Sequence, residues 1–320
     1  MEWGYTCSSE EFAASDLTAF ATAAEDAGFE FVTVSDHFHP WTTSQGHSPF
    51  AWTTVAAIAA TTGRVRIGTG VTCPLIRIHP AIVAQAAASS NELSAGRFFL
   101  GVGTGEALNE HITGERWPPI EQRREMLVEA IDVMRSLWAG DTVDHQGTYY
   151  TVENARLFTL PHSPIEVICA AAGSKSAELA AEHADGLWVT SPDRDTIDAY
   201  RSAGGKGRVI GQLTVSWDDD QEAAKRTAFE QWPNAALHGQ LSQDLPTWTH
   251  FEDATKLASV DDVAEKVVTG NDVGAIVAAA EEYARAGVTA LHFHQIGADQ
   301  LGFIEAWSSQ LRSELEGVAA

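Results

Sequence analysis

The sequence predicts an α/β protein: a (β/α)8 TIM barrel with loop insertions at the carboxyl face of its strands, one domain spanning residues 1–320. Two observations carry that prediction. Eight short runs rich in β-branched and aromatic residues fall at 2–6, 29–35, 65–71, 97–102, 165–170, 186–190, 209–216 and 289–294. Most are apolar throughout instead of alternating, as parallel strands covered on both faces require. Between them lie Ala-rich amphipathic stretches of helical period at 16–27, 50–62, 80–93, 121–138, 176–183, 221–231 and 271–286. An open doubly wound sheet is the alternative, but no GxGxxG opens the first helix and no shift of composition marks a linker.

The connections are read in the same order. Residues 38–48 and 103–119 exceed an ordinary strand-to-helix turn, and long loops at the carboxyl ends of barrel strands are where sites are built. Residues 145–158 form a small β excursion before the fifth barrel strand, and 240–258 an insertion near the carboxyl side.

Composition narrows the partners. Twenty Lys and Arg stand against 44 Asp and Glu, a formal charge of −24, which repels phosphate backbones and anionic membrane surfaces alike. Neither nucleic acid nor membrane is expected as a partner, and a small molecule is. No apolar run approaches the roughly 20 residues of a membrane span. The opening Met1 to Tyr5 has neither a basic nor an apolar leader segment, so a cytoplasmic protein is expected. Cys7, Cys73 and Cys169 are odd in number and lack CxxC spacing, which speaks against a disulfide framework or a zinc site.

Four segments could carry chemistry. Ser35 to Trp41 closes the second strand with an acid, two histidines and a tryptophan: a base, an orienting partner and an apolar wall. Gly101 to Glu106 closes the fourth with glycines at alternate positions, letting a planar ligand lie against the backbone, although such a loop is equally an ordinary turn. Ala170 to Ser176 follows the fifth strand and opens a helix, making either a phosphate cradle or a plain Ser-capped start. His292 and His294 close the last strand and mirror His37 and His39. Two HxH pairs allow a rival reading as a metal-dependent hydrolase, but only Asp36 and Glu106 are evident as further ligands, so no metal is expected.

Together these segments resemble the luciferase-like family of barrel oxidoreductases that use the deazaflavin coenzyme F420, and within it the F420-dependent glucose-6-phosphate dehydrogenase group. The resemblance runs over nearly the whole chain. It rests on Gly4-Tyr5 with Ser9-Glu10-Glu11-Phe12, on Val34 to Trp41, on Pro80 to Gln85, and on Phe99 to Glu110. It implies F420 as cofactor and hydride transfer from an alcohol or sugar-type CH–OH group to C5 of the deazaflavin. It assigns His37 as base, Trp41 to stabilise developing charge, Glu106 to the opposite side of the site and Glu10 to support proton transfer. Asp36, Gly70, Val71, Cys73, Thr104, Gly105, Glu106, Asn109, Ala171, Gly173, Ser174 and Lys175 would surround the cofactor, with a non-prolyl cis bond at Gly70-Val71. Asp36 could fix the tautomer of His37. The family often forms homodimers, and a homodimer is expected.

Departures from the family bear on the substrate. Where the sugar-phosphate enzymes hold the phosphate with lysines and an arginine, this chain reads Pro192-Asp193-Arg194 and puts Glu265 where a lysine is expected, with Lys266 adjacent. A phosphate would be repelled there unless Arg194, Lys256 or Lys266 substitutes. An uncharged or differently anchored alcohol is therefore expected. The alternatives are a true sugar-6-phosphate dehydrogenase with a rearranged phosphate site, an F420H2-dependent reductase and an FMN-dependent monooxygenase.

Overall fold

The computed structural model describes residues 1–237 and 239–318. Its strands, in chain order, are β1 (Glu2–Cys7), β2 (Phe31–Val34), β3 (Arg66–Thr69), β4 (Phe98–Val102), β5 (Val143–Gln146), β6 (Thr151–Ala155), β7 (Val167–Ala170), β8 (Gly186–Val189), β9 (Val209–Ser216), β10 (Val268–Thr269) and β11 (Ala290–Gln295). Parallel pairing runs β1–β2–β3–β4–β7–β8–β9–β11 and returns from β11 to β1, closing an eight-stranded barrel. All eight coincide with the runs expected from sequence. The β excursion is the antiparallel hairpin β5–β6, and β10 adds a short parallel edge to β9.

Barrel closure follows from what alternate residues can bury. Gly4 and Gly68 face inward, and a Cβ on either would lie 2.4 or 2.2 Å from the ring of Phe31 or Phe99. Their bareness lets those two rings fill the interior with Ile168, Trp188, Ile210 and Ala290. Below them, Arg208 caps both rings and pairs with Glu2 at 3.1 Å and Glu166 at 3.0 Å, while Arg66 also binds Glu166. This closes the amino-terminal end, so any site must open at the other.

Two helices escape the sequence pattern. Arg194–Ser202 makes the β8-to-β9 crossover, burying Thr196, Ile197 and Tyr200. Gln300–Ala306 continues through a π turn into Arg312–Leu315 after β11. Its Trp307 is fully buried and stacks on Phe29 at 4.3 Å, sealing the seam between the first and last strands. The insertion 240–258 is helical at Leu241–Asp244 and Trp248–Thr255, with Val260–Ala264 following it, and its Phe251 and Glu252 reach Trp41 and Thr43 of the loop after β2. Among the described residues no helix is long and apolar enough to cross a membrane.

Candidate active site

The loops after β1, β2 and β4 converge on His37. Its Nε2 lies 3.4 Å from Glu10 Oε1 and 3.6 Å from Glu106 Oε2. Glu10 is buried and accepts hydrogen bonds from Ser35 Oγ at 2.6 Å and Ser8 Oγ at 3.0 Å. The Trp41 ring stands 4.9 Å from the imidazole and is braced edge-on by Phe251 of the insertion at 5.0 Å. The sequence-derived quartet of Glu10, His37, Trp41 and Glu106 is thus assembled in one place.

Asn109 organises this group. Its Oδ1 accepts the backbone N–H groups of Phe38 and His39 at 2.9 and 3.2 Å, which directs its amide nitrogen to donate. That nitrogen lies 3.0 Å from Glu106 Oε2 and 3.1 Å from His37 Nδ1. The same Nδ1 is 3.2 Å from the His39 carbonyl. It stands between a donor and an acceptor, so either tautomer of a neutral ring finds a partner there. With Nδ1–H donating to the His39 carbonyl, Nε2 is left unprotonated between Glu10 and Glu106 and can act as a base.

The two carboxyls differ in their surroundings. Burial alone would raise Glu10, but the His37 charge, the Ser35 hydroxyl and a backbone bond together hold it below the usual carboxylate value. At Glu106 burial prevails over the His37 charge and the Asn109 amide, and its pKa is raised. Environments that push a pair of acids apart in this way separate their roles: Glu10 is the stable anion, Glu106 the more readily protonated partner.

Asp36 is placed differently from the expectation that it fixes the His37 tautomer. Its carboxylate is fully buried, bound by Arg77 at 2.8 Å and Thr72 Oγ1 at 2.7 Å. Arg77 also reaches Glu110 Oε1 at 3.4 Å, and its backbone N–H donates to Glu110 Oε2 at 2.8 Å. The tautomer partners are Asn109 and the His39 carbonyl; Asp36 belongs to a buried charge cluster behind the site.

Beside His37 runs a wall made of backbone. The Gly70–Val71 peptide is cis, as the resemblance implies. Thr72 N–H donates to Gly101 O at 2.9 Å and Gly103 N–H to Thr72 O at 3.0 Å, locking the loops after β3 and β4 together. A Cβ on Gly103 would lie 2.9 Å from Val71 Cγ2, and one on Gly105, whose φ is +71°, would lie 2.4 Å from Cys73 Sγ. Cys73 is buried, which pushes its thiol pKa up and makes it packing behind the loop. Gly70, Val71, Thr104, Gly105 and Ala170 are partly exposed above a buried floor, leaving room for a flat ring.

Further along the rim, Ala171 is buried and its N–H donates to Trp188 O, while Gly173 precedes the helix Ser174–His183. Ser174 and Lys175 are exposed in its first turn, where backbone N–H groups have no intrahelical acceptor. That end suits the anionic tail of a ligand whose ring lies on the glycine wall. The residues therefore fit a planar cofactor with a phosphate-bearing tail.

The second HxH pair does not join the first. His292 Nδ1 pairs with Thr6 Oγ1 at 2.5 Å inside the barrel, and burial lowers its pKa to about 3. His294 faces Glu11 at 3.6 Å. Among the described residues no group of three or more His, Cys, Asp or Glu side chains is placed to hold a metal ion. Sequence reasoning assigned no role to Arg77, Glu110, Asn109's orienting bonds or Arg123, because each acts through partners distant in the chain.

A closed barrel with a carboxylate–histidine site and a cis peptide at the glycine wall defines a class, and the comparison of sequences gives it a name. The profile of the luciferase-like monooxygenase family matches residues 1–290, and the chain belongs to that family. It is 35% identical to the F420-dependent glucose-6-phosphate dehydrogenase of Tsukamurella paurometabola over 99% of both chains, and 34% identical to that of Mycobacterium tuberculosis over 98% of both. It also superimposes on an F420-dependent secondary alcohol dehydrogenase in complex with an F420–acetone adduct, with TM-score 0.90, 30% identity and 98% coverage of both chains.

Proposed function

We propose that this chain is an F420-dependent dehydrogenase that oxidises the CH–OH group of an uncharged alcohol, with His37 as the base. The observation that carries this reading is the placement of His37 Nε2 between Glu10 and Glu106, beside a wall of bare backbone. The relatives' names support the cofactor and the donor class.

When bound, F420 supplies a ring carbon that accepts a hydride. The chain's residues do the remainder. Gly70, Val71, Thr104 and Gly105 would hold the ring, and Ser174 and Lys175 the charged tail. His37 Nε2 takes the hydroxyl proton, and ionised Glu10 holds the imidazolium so formed. Trp41 and Phe251 wall the substrate in and exclude water. In the opposite direction Glu106, with its raised pKa, is the natural proton source for a carbonyl oxygen.

Two of the three basic residues near the expected phosphate site are already paired with carboxylates, which favours an uncharged substrate. Arg194 is 3.5 Å from Asp198 and Lys256 2.7 Å from Asp253, each paired with a carboxylate three or four residues away. Glu265 and Lys266 are both exposed side by side. A coenzyme-reduction assay over secondary alcohols and glucose 6-phosphate tests the reading. The expected kcat/KM for the best alcohol exceeds that for glucose 6-phosphate by about a hundredfold, the order expected when a buried ionic anchor is missing. Comparable turnover of the sugar phosphate would overturn the substrate assignment, and no coenzyme reduction with any alcohol would overturn the function.

A further inference from the structure

Arg123 lies on the helix Ile120–Trp138, takes no part in the reaction described above, and is 1% exposed. A buried arginine is costly unless its donors are engaged. Its Nη1 donates to the carbonyls of Thr104 at 3.4 Å and Gly105 at 3.1 Å, the two residues before Glu106. Its Nη2 turns the other way, to Gln243 Oε1 at 3.3 Å and toward Asp244 at 3.8 Å, both on the insertion over the carboxyl face. Trp117 completes the clamp, covering the guanidinium at 4.2 Å while its indole N–H donates to Asp244 at 3.2 Å. One side chain therefore bonds the loop that carries Glu106 on one side and the insertion on the other. The insertion in turn supplies Phe251 to Trp41, and Glu252 to Thr43 through the backbone N–H at 3.2 Å.

We propose that Arg123 is a positioning residue that couples the seating of the insertion to the placement of Glu106, so that the apolar wall and the acid partner of His37 are set together. A planar fork is suited to this, because its two ends bond different partners from a single rigid group, which a lysine cannot reproduce. The inference deepens the proposed dehydrogenase reading for its kinetic arm; its structural arm stands on the clamp alone.

Hydrogen exchange of the whole protein tests the coupling directly. Gln243→Ala removes a hydrogen bond on the insertion side only; because the helix Leu241–Asp244 packs on Ala107–Glu110, the coupling is read from residues 103–106, whose carbonyls at Thr104 and Gly105 Arg123 bonds. It is expected to speed amide exchange about tenfold or more in residues 103–106 as well as in 241–258. Arg123→Lys is expected to do the same more strongly. In coenzyme reduction, Gln243→Ala should lower kcat about three- to tenfold while the dissociation constant of F420, read by tryptophan quenching, stays within about twofold. Faster exchange confined to 241–258, or unchanged kcat in both variants, would overturn the coupling even if Arg123→Lys folds poorly. A wild-type protein that reduces F420 with no alcohol would refute the function and leave the exchange result standing.

Discussion

Glu10 and Glu106 face the same nitrogen of His37, at 3.4 and 3.6 Å, yet their pKa values move in opposite directions. The linkage signs follow. Glu10, lowered on folding, contributes stability above the unfolded carboxyl value that is lost as pH falls through its folded value. Glu106, raised on folding, is stabilising only while protonated, and that contribution is lost as pH rises from the unfolded value through the folded one. Glu10→Gln is therefore expected to lower Tm at neutral pH, with the deficit vanishing in acid. Glu106→Gln is expected to raise Tm at neutral pH and leave it unchanged near pH 4. Both should reduce kcat by about a hundredfold, the usual scale for a lost acid–base partner. Melting curves across pH check the signs, and Tm shifts of the same sign in both variants would refute the division of roles.

Asp36 is expected to behave as a structural acid. Asp36→Asn leaves Arg77 buried with only Glu110 as a carboxylate partner, and breaking such a pair costs about 3–5 kcal/mol. Thr72→Val removes one hydrogen bond to the same carboxylate and should cost about 1–3 kcal/mol. Denaturant titration measures both. If Asp36→Asn kept full stability and lost only turnover, Asp36 would belong to the reaction instead.

What the sequence made legible was whatever repeats locally. The eight barrel strands showed as apolar runs because a strand covered on both faces has no choice of composition. His37, Trp41 and Glu106 stood out because polar residues directly at the ends of such runs have few structural reasons to be there. The helix Arg194–Ser202 was lost because a nine-residue segment with alternating charges buries only three side chains. The terminal helix was lost for another reason: Phe303, Ile304, Trp307, Leu311 and Leu315 form an apolar stripe, but the π turn at Trp307–Leu311 shifts its period. Arg77 and Arg123 carry no local mark of burial, since what makes them interior is Asp36, Glu110, Thr104 and Gln243 arriving from other elements.

The glycine wall yields a prediction about binding alone. Gly103→Ala places a methyl 2.9 Å from Val71 Cγ2, displacing the Val71 side chain from the wall without touching His37 or its carboxylates. F420 affinity is expected to fall about tenfold or more, since about 1.4 kcal/mol of displaced contact suffices. Gly101→Ala is harsher, because its Cβ would lie 2.1 Å from the Thr69 carbonyl, and it should abolish soluble folded protein. Tryptophan quenching by F420 measures the first, and unaltered affinity there would remove the wall from the binding site.

His292 makes the barrel interior a source of acid sensitivity. It is fully buried between Trp188 at 4.8 Å and Phe31 at 6.2 Å, with its Nδ1 on Thr6, and its pKa drops to about 3. In the unfolded chain the same ring takes up a proton near pH 6.5. Between those values the unfolded state binds one proton more than the folded state, so stability falls as pH falls, at about 1.4 kcal/mol per pH unit. At pH 4.5 this amounts to a few kcal/mol relative to neutral pH, a sizeable part of a typical domain's stability. Replacing the pair together, as Thr6→Val with His292→Leu, removes the titrating group without stranding the threonine hydroxyl. The double variant is expected to lose stability at pH 7, through the lost hydrogen bond and altered packing, yet to decline less steeply than wild type between pH 6.5 and 4.5. Urea titrations at both pH values decide it, and parallel declines in the two proteins would show that the acid sensitivity resides elsewhere.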